Sequence, residues 1–317
     1  MARGGQLRSF RRVRGEGQVL PVPPPGRSVD VRSADGTRLA VTVHGADDVP
    51  TIVLVHGILC ATDFWRFQIA DLAGDFRVVS YDHRGHGRSE APRAGNYSLD
   101  HLADDLSAVL AATVPTGARA VIAGHSMGGI AILAWARRYP DEVERYASAA
   151  ALVNTTSGDI LDNVNFLRGP TALLRTRSRL ARAALPAARL PMPRRLPMRR
   201  LLLTRVAIGA GADPRLAYEL DTIIAGTSAR GRGGYGALLV RMDATIDPAA
   251  LTVPTAVIAG SRDRITPVAS AQAIAVGLPQ LTALHEFVTG HCGPWEEPAA
   301  VSGVLRGLAS ASTAEIA

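Results

Sequence analysis

Lysine is absent from this sequence: all 35 basic side chains are arginine. A GC-rich coding bias accounts for the absence but not for where the arginines fall. Residues 1–27 hold six arginines and a single acid, Glu16, while residues 163–212 hold eleven arginines and no acid. The remainder carries 18 arginines against 27 acids. An acidic body therefore carries a strongly basic insert, and the overall pI of about 10.2 describes neither part. Cysteine is scarce as well. Two residues, Cys60 and Cys292, imply no disulfide framework and make a reducing, cytoplasmic setting the default. No apolar run approaches the ~20 residues a membrane-spanning helix needs. Behind the basic residues of the N-terminus (Arg3, Arg8, Arg11, Arg12, Arg14) there is no apolar stretch, so no secretory signal peptide is expected. No Cys/His cluster has metal-ligand spacing, so no metal is expected.

What is present is enough for a folded core. With 317 residues and 47% apolar side chains, the chain suits one large α/β domain with an insertion, or two smaller domains. Residues 1–27 mix arginine, glycine and proline and read as a basic arm. Two alternating runs, residues 29–33 and 37–44, flank Ala34-Asp35-Gly36 and predict an antiparallel hairpin. The β-branched apolar run 51–55 predicts a strand buried on both faces. Helix over 63–73, strand over 77–81, helix over 99–112, strand over 120–123 and strand over 143–153 follow. Strand thus alternates with helix, as in a parallel sheet covered on both sides. The alternation stops near Asn154 and resumes with a strand over 254–259, a helix over 267–276, a strand over 282–288 and a closing helix over 297–308. Residues 309–317 read as a loose tail.

The organising stretch is Gly124-His125-Ser126-Met127-Gly128-Gly129. An apolar strand runs into it and a helix-like segment leaves it, which makes Gly-x-Ser-x-Gly a nucleophile elbow rather than a chance match. An alcohol is a weak nucleophile at neutral pH, so Ser126 needs a positioned base. His291, just past the last predicted strand, has the best context. His56, His83, His86 and His125 lie in or beside glycine turns and read as structural. Asp263, past the strand 254–259, is the acid that would hold the imidazole. The chain order Ser126, Asp263, His291, each at the C-terminal end of a strand, favours that assignment. The backbone N–H groups of Met127 and Ile58 are the expected oxyanion donors. Leu59, Phe64 and Trp65 are candidates for an apolar acyl pocket, with core packing the competing reading for the two aromatics.

Four stretches together resemble the α/β-hydrolase superfamily, in its serine-nucleophile, esterase- or lipase-like branch with a helical cap. They are His56-Gly57-Ile58-Leu59, the loop Asp82-His83-Arg84-Gly85-His86-Gly87-Arg88-Ser89, the elbow, and Asp263 with His291. The resemblance implies an α/β fold with an eight-stranded, mostly parallel sheet flanked by helices and a helical cap inserted after the sixth strand. On that basis residues 28–153 and 248–309 are the core, 154–247 an Arg-rich helical cap and 310–317 a flexible tail. It implies acyl-enzyme hydrolysis of a small lipophilic ester, with no cofactor. Serine at the nucleophile position argues against the haloalkane dehalogenase and epoxide hydrolase branches, which place aspartate there. The same triad also serves cofactor-free perhydrolysis or halide oxidation and C–C bond hydrolysis. A ligand-binding protein on the same scaffold is the alternative of another class, although such proteins often lose a triad member and none is missing here.

The insert carries its own expectations. Residues 171–185 predict a helix with leucines and alanines on one face and Arg175, Arg179 and Arg182 on the other. Prolines break the chain after it, and residues 199–208 predict a further helix. The basic surface reads either as a solvated face or as a peripheral contact for anionic membrane lipids. Nucleic acid is not an expected partner, because the arginines lack interleaved aromatics and a known module. The Gly-x-Gly-x-x-Gly over residues 231–236 follows a helical pattern rather than a strand, so no dinucleotide site is expected. Cys60 and Cys292, each close to a catalytic stretch, are expected to flank the site's mouth as free thiols, with a redox-responsive bridge as the alternative.

Overall fold

The run Thr51–Val55 is wholly buried, as its composition demands, and it sits near the middle of an eight-stranded sheet. The computed structural model describes residues 20–93, 95–158, 197–209, 212–242 and 246–314. The strands are β1 (Arg27–Arg32), β2 (Arg38–His44), β3 (Thr51–Val55), β4 (Arg77–Tyr81), β5 (Ala120–His125), β6 (Ala147–Val153), β7 (Thr255–Gly260) and β8 (Leu281–Phe287). Their spatial order is β1-β2-β4-β3-β5-β6-β7-β8. The β1–β2 hairpin pairs antiparallel and β2 joins β4 antiparallel, while every later pairing is parallel. The mostly parallel sheet expected from the alternation is therefore the one observed.

Side-chain alternation sorts the core into two layers. In β3, Val53 and Val55 face one layer and Ile52 and Leu54 the other; in β5, Ile122 and Val121 divide the same way. The first layer is covered by α2 (Leu99–Thr113) and α3 (Met127–Arg138), through Leu102, Leu106, Ile130 and Trp135. The second is covered by α1 (Arg66–Leu72), which follows a 3₁₀ turn over Thr62–Trp65, and by α10 (Pro298–Ala314). Between these lie α4 (Pro140–Tyr146), α5 (Pro197–Val206), α6 (Pro214–Gly226), α7 (Ala229–Arg241), α8 (Val268–Gly277) and the single turn α9 (Gly293–Glu296). Helices α5, α6 and α7 fall between β6 and β7, where the alternation breaks. Among the described residues no helix is long and apolar enough to cross a membrane.

Two boundaries differ from the sequence expectation. The strand expected over 143–153 begins only at Ala147, because Pro140 at the first helical position and Asp141 and Glu142 in the first turn nucleate α4. The tail expected to be loose from residue 309 instead continues α10 to Ala314. Residues 309–314 contain no Gly or Pro, and Ala309 is 1% exposed against the second layer. The helix expected over 171–185 and residues 1–19 of the basic arm lie outside the described residues. Gly231 and Gly234 sit inside α7. A Cβ on Gly231 would fall 2.5 Å from the Gly85 carbonyl oxygen, and one on Gly234 would fall 2.4 Å from the Tyr97 ring. These glycines serve close packing of a helix on a loop, not a phosphate.

Candidate active site

Strand β5 ends at His125, and Ser126 then takes φ 53° and ψ −119° before α3 begins. A non-glycine residue in that region costs about 1–3 kcal/mol and persists only where its surroundings fix it. Three bonds do so here. Ser126 N–H donates to the Val153 carbonyl (2.9 Å), and the Ser126 carbonyl accepts from Gly129 N–H (2.9 Å) and Thr155 Oγ1 (2.7 Å). The glycines of the motif are required by space. A Cβ on Gly124 would lie 2.5 Å from the Gly128 carbonyl, and one on Gly128 would lie 2.2 Å from the Val55 oxygen. Strand β3 and helix α3 cross too closely for any side chain.

Asp263 stands in the turn after β7, and its carboxylate is saturated. Oδ1 accepts from the Ile265 and Thr266 N–H groups (2.8 and 3.0 Å). Oδ2 accepts from Thr266 Oγ1 (2.8 Å), Asn154 Nδ2 (3.0 Å) and His291 Nδ1 (2.9 Å). Burial alone would raise the pKa of this carboxyl. The charge and hydrogen bond of His291, with the Thr266 and Ile265 amides, outweigh burial and hold it below its ordinary 3.8. An ionised carboxylate can only accept, so the proton of a neutral His291 sits on Nδ1 and Nε2 is left as an acceptor.

The His291 backbone is held from two sides. Its N–H donates to the Ala207 carbonyl (2.8 Å), and its carbonyl accepts from His125 Nε2 (2.8 Å). The His125 and His291 rings are 4.8 Å apart at their centroids, so the imidazole is held against the neighbour of Ser126. Elements far apart in sequence thus meet at the C-terminal ends of β5, β7 and β8. Met127 opens α3, where the first N–H groups have no partner within the helix. In the loop after β3, Leu59 takes φ 61° and donates its N–H to His86 Nε2 (3.1 Å), while Cys60 N–H donates to the Gly57 carbonyl (3.2 Å). Their neighbour Ile58 is partly buried and packs against the first core layer.

The other histidines form the frame around this loop. His56 Nδ1 meets the Gly57 carbonyl at 2.7 Å, and His56 Nε2 accepts from the His83 amide at 3.0 Å. His83 Nε2 returns to the His56 carbonyl at 2.9 Å. Burial lowers the pKa of His56 to about 4 and of His86 to about 3, and it also lowers those of His83 and His125, so all four are neutral near pH 7. Arg84, in the same loop, is fully buried and forks onto Asp105 with Nε–Oδ2 at 2.8 Å and Nη2–Oδ1 at 2.6 Å.

Phe64 and Trp65 are not on a pocket wall. Both are 0% exposed, with the Phe64 ring stacked between His125 (4.3 Å) and Trp295 (5.4 Å). Trp295 Nε1 donates to the Phe64 carbonyl, which draws α9 and the 3₁₀ turn together. The aromatics were available to the core because α1 and α10 close over them. Cys60 and Cys292 likewise lie in the second core layer rather than at a mouth, at 5% and 2% exposure, and both are free thiols. Burial pushes the Cys60 thiol up to about 12 and raises that of Cys292, which disfavours the thiolate that disulfide exchange needs. Sequence reasoning missed Asn154, Thr266 and Glu296. Asn154, at φ 45°, begins the polar run Asn154-Thr155-Thr156-Ser157 that ends buried strand β6, and that run was the available signal.

The profile of the alpha/beta hydrolase fold family matches residues 50–298, from β3 into the start of α10. The chain belongs to the α/β hydrolase family. A curated relative is 35% identical over 193 residues, 58% of this chain and 31% of its own length; it is named probable oxidoreductase EphD, from Mycobacterium tuberculosis. The bifunctional esterase/perhydrolase DCH of Acinetobacter calcoaceticus is 38% identical over 113 residues, 35% of this chain and 40% of its own length. The chain therefore spans well under half the length of these relatives. Among solved structures, the enol-lactonase of Burkholderia xenovorans superposes with a TM-score of 0.69 at 24% identity, over 88% of this chain and 99% of that one. That likeness concerns the α/β hydrolase fold.

Proposed function

We propose that the chain is a serine hydrolase that cleaves a carboxylic ester with an apolar acyl part through an acyl-enzyme intermediate. One observation carries the reading: a strained serine at a strand-to-helix turn follows His125, whose ring lies 4.8 Å from that of His291, and His291 Nδ1 is 2.9 Å from the buried Asp263 carboxylate. Ser126 Oγ attacks the ester carbonyl as His291 Nε2 takes its proton. The Met127 and Ile58 amides hold the oxyanion. His291 then returns the proton to the departing alkoxide, and water repeats the sequence to release the acid. Asp263 keeps Nδ1 protonated and stabilises the imidazolium. An epoxide-opening role does not suit Ser126. Attack on an epoxide carbon by an alcohol would leave an ether that water cannot cleave, whereas a carboxylate would leave a hydrolysable ester.

The name of the A. calcoaceticus relative supports a second outcome at the same triad, in which hydrogen peroxide replaces water and yields a peracid. For a macromolecular partner we propose an anionic lipid surface, chosen for its charge complementarity with the insert. Leu201 and Leu202 are 49% and 57% exposed on α5, and Tyr218 on α6 is 45% exposed beneath the Arg200 guanidinium, 4.7 Å away. Arg205 is exposed at the end of the same helix.

The test of the hydrolase reading is labelling by a fluorophosphonate probe together with p-nitrophenyl esters of rising acyl length. Wild type is expected to label and to turn over esters, and Ser126→Ala to do neither. A native chain that the probe leaves unlabelled refutes the assignment and favours a binding role.

A further inference from the structure

Both oxygens of the Glu296 carboxylate are spent on backbone amides from two separate parts of the chain. Gly290 N–H, one residue before His291, lies 3.0 Å from Oε1 and from Oε2. Gly209 N–H, just beyond α5, donates to Oε2 at 2.9 Å. The same two segments bond directly. The Ala207 carbonyl accepts from the N–H groups of His291 (2.8 Å) and Cys292 (3.1 Å). Both contact points need glycine for space. A Cβ on Gly290 would lie 2.4 Å from Gly209 N, and a Cβ on Gly209 would lie 2.6 Å from Glu296 Oε2.

We propose that Glu296 is a positioning residue for His291. Its carboxylate joins the histidine loop to the end of α5, so that the base keeps its place only while this part of the insert is docked. The inference rests on the hydrolase reading above. Asp263 fixes the His291 ring through Nδ1, but the ring's reach toward Ser126 also depends on where the backbone of residues 290–292 sits. Glu296 and Ala207 hold that backbone through its N–H groups, while His125 and Asn154 hold the His291 and Gly290 carbonyls. The joint also selects for a hydrogen-bond acceptor. Two N–H groups converge on one small space, which a carboxylate fills as an acceptor at both oxygens and an apolar side chain cannot fill without leaving buried donors unpaired.

The experiment compares ester turnover in wild type, Glu296→Gln, Glu296→Ala, Gly209→Ala and the Gly209→Ala/Glu296→Ala double variant. It is read with urea midpoints and with amide exchange of residues 207–209 and 290–292. Glu296→Ala is expected to lower kcat about ten- to a hundredfold, the scale of a misplaced catalytic group, with KM little changed. Glu296→Gln retains one acceptor oxygen and recovers most of the rate. Gly209→Ala, which pushes on the joint from the insert side, also lowers kcat, and the double variant loses no more than the worse single one. Exchange rises in both segments together. An unchanged kcat in Glu296→Ala, exchange rising in one segment alone, additive losses, or losses that only track the folded fraction would each overturn the proposal. A wild type that neither labels nor hydrolyses any ester removes the positioning role along with the hydrolase reading. Exchange then shows whether the joint remains as a structural one.

Discussion

Replacing Gly128 with alanine adds one methyl group where the space is tightest among the described glycines. The new Cβ would stand 2.2 Å from the Val55 carbonyl oxygen, 2.7 Å from its carbon and 2.9 Å from the His56 oxygen. These are backbone atoms of a central, fully buried strand, so no side chain can swing aside. Ordinary contact begins near 3.4 Å, so β3 and α3 must separate by roughly 1 Å. Overpacking of this kind costs about 1–3 kcal/mol and sometimes more. The displacement falls between Met127 and the His56-Gly57-Ile58 loop, the two sides of the proposed oxyanion site. A shift of about 1 Å there is expected to cost on the order of a hundredfold in kcat. Gly303→Ala is the internal control, since that glycine lies in α10 with nothing within 4 Å of the added Cβ. It should stabilise the chain by about 0.5–1 kcal/mol through helix propensity alone. Urea unfolding and ester turnover, measured on both variants, check the reasoning. A Gly128→Ala protein with wild-type midpoint and kcat would show that the crossing of strand and helix is looser than the geometry requires.

Five other outcomes follow from contacts elsewhere in the structure. Asp263→Asn, which cannot hold Nδ1–H and an imidazolium together, should lower kcat by about 10³–10⁴, and Asn154→Ala, which removes one charge-assisted bond to Oδ2, should lower it about tenfold; steady-state ester kinetics reads both. Because Asp263 is held below its ordinary 3.8, its contribution to stability is complete above about pH 4 and is lost as pH falls through the lowered folded pKa. Unfolding free energies taken from neutral to strongly acidic pH should therefore decline less steeply in Asp263→Asn, and equal slopes would contradict the assignment. Asp105→Asn leaves the buried Arg84 guanidinium with Asp35 as its one carboxylate partner and should destabilise by about 3 kcal/mol in urea unfolding. Vesicles rich in phosphatidylglycerol, but not phosphatidylcholine alone, should co-sediment the protein at low salt. Leu201→Asp with Leu202→Asp should abolish that binding; binding indifferent to lipid charge would sink the lipid proposal.

The local code of the chain settled a good deal on its own. Period-two alternation around Asp35-Gly36 specified the hairpin, and the β-branched run Thr51–Val55 specified a strand covered on both faces. Glycines on either side of Ser126 specified a turn that no other residue permits, because the excluded volume of a Cβ is a local property. The placement of Ser126, Asp263 and His291 after successive strands was likewise readable, since each of those strands ends at a glycine or a polar turn. The fate of the aromatics, the cysteines and the buried polar partners was not readable. Phe64, Trp65, Cys60 and Cys292 carry no mark that separates a pocket wall from a core; only the closure of α1, α9 and α10 over them decides it. Asn154, Thr266 and Glu296 matter through bonds to residues that are 109, 3 and 6 positions away. Hydrogen bonds depend on distances of a few tenths of an ångström between groups brought together by the sheet. Local sequence fixes where the chain turns and what it must bury. Which distant donors meet which acceptors is a matter of three-dimensional packing, and the bonds that hold Asp263 and His291 in place were decided there.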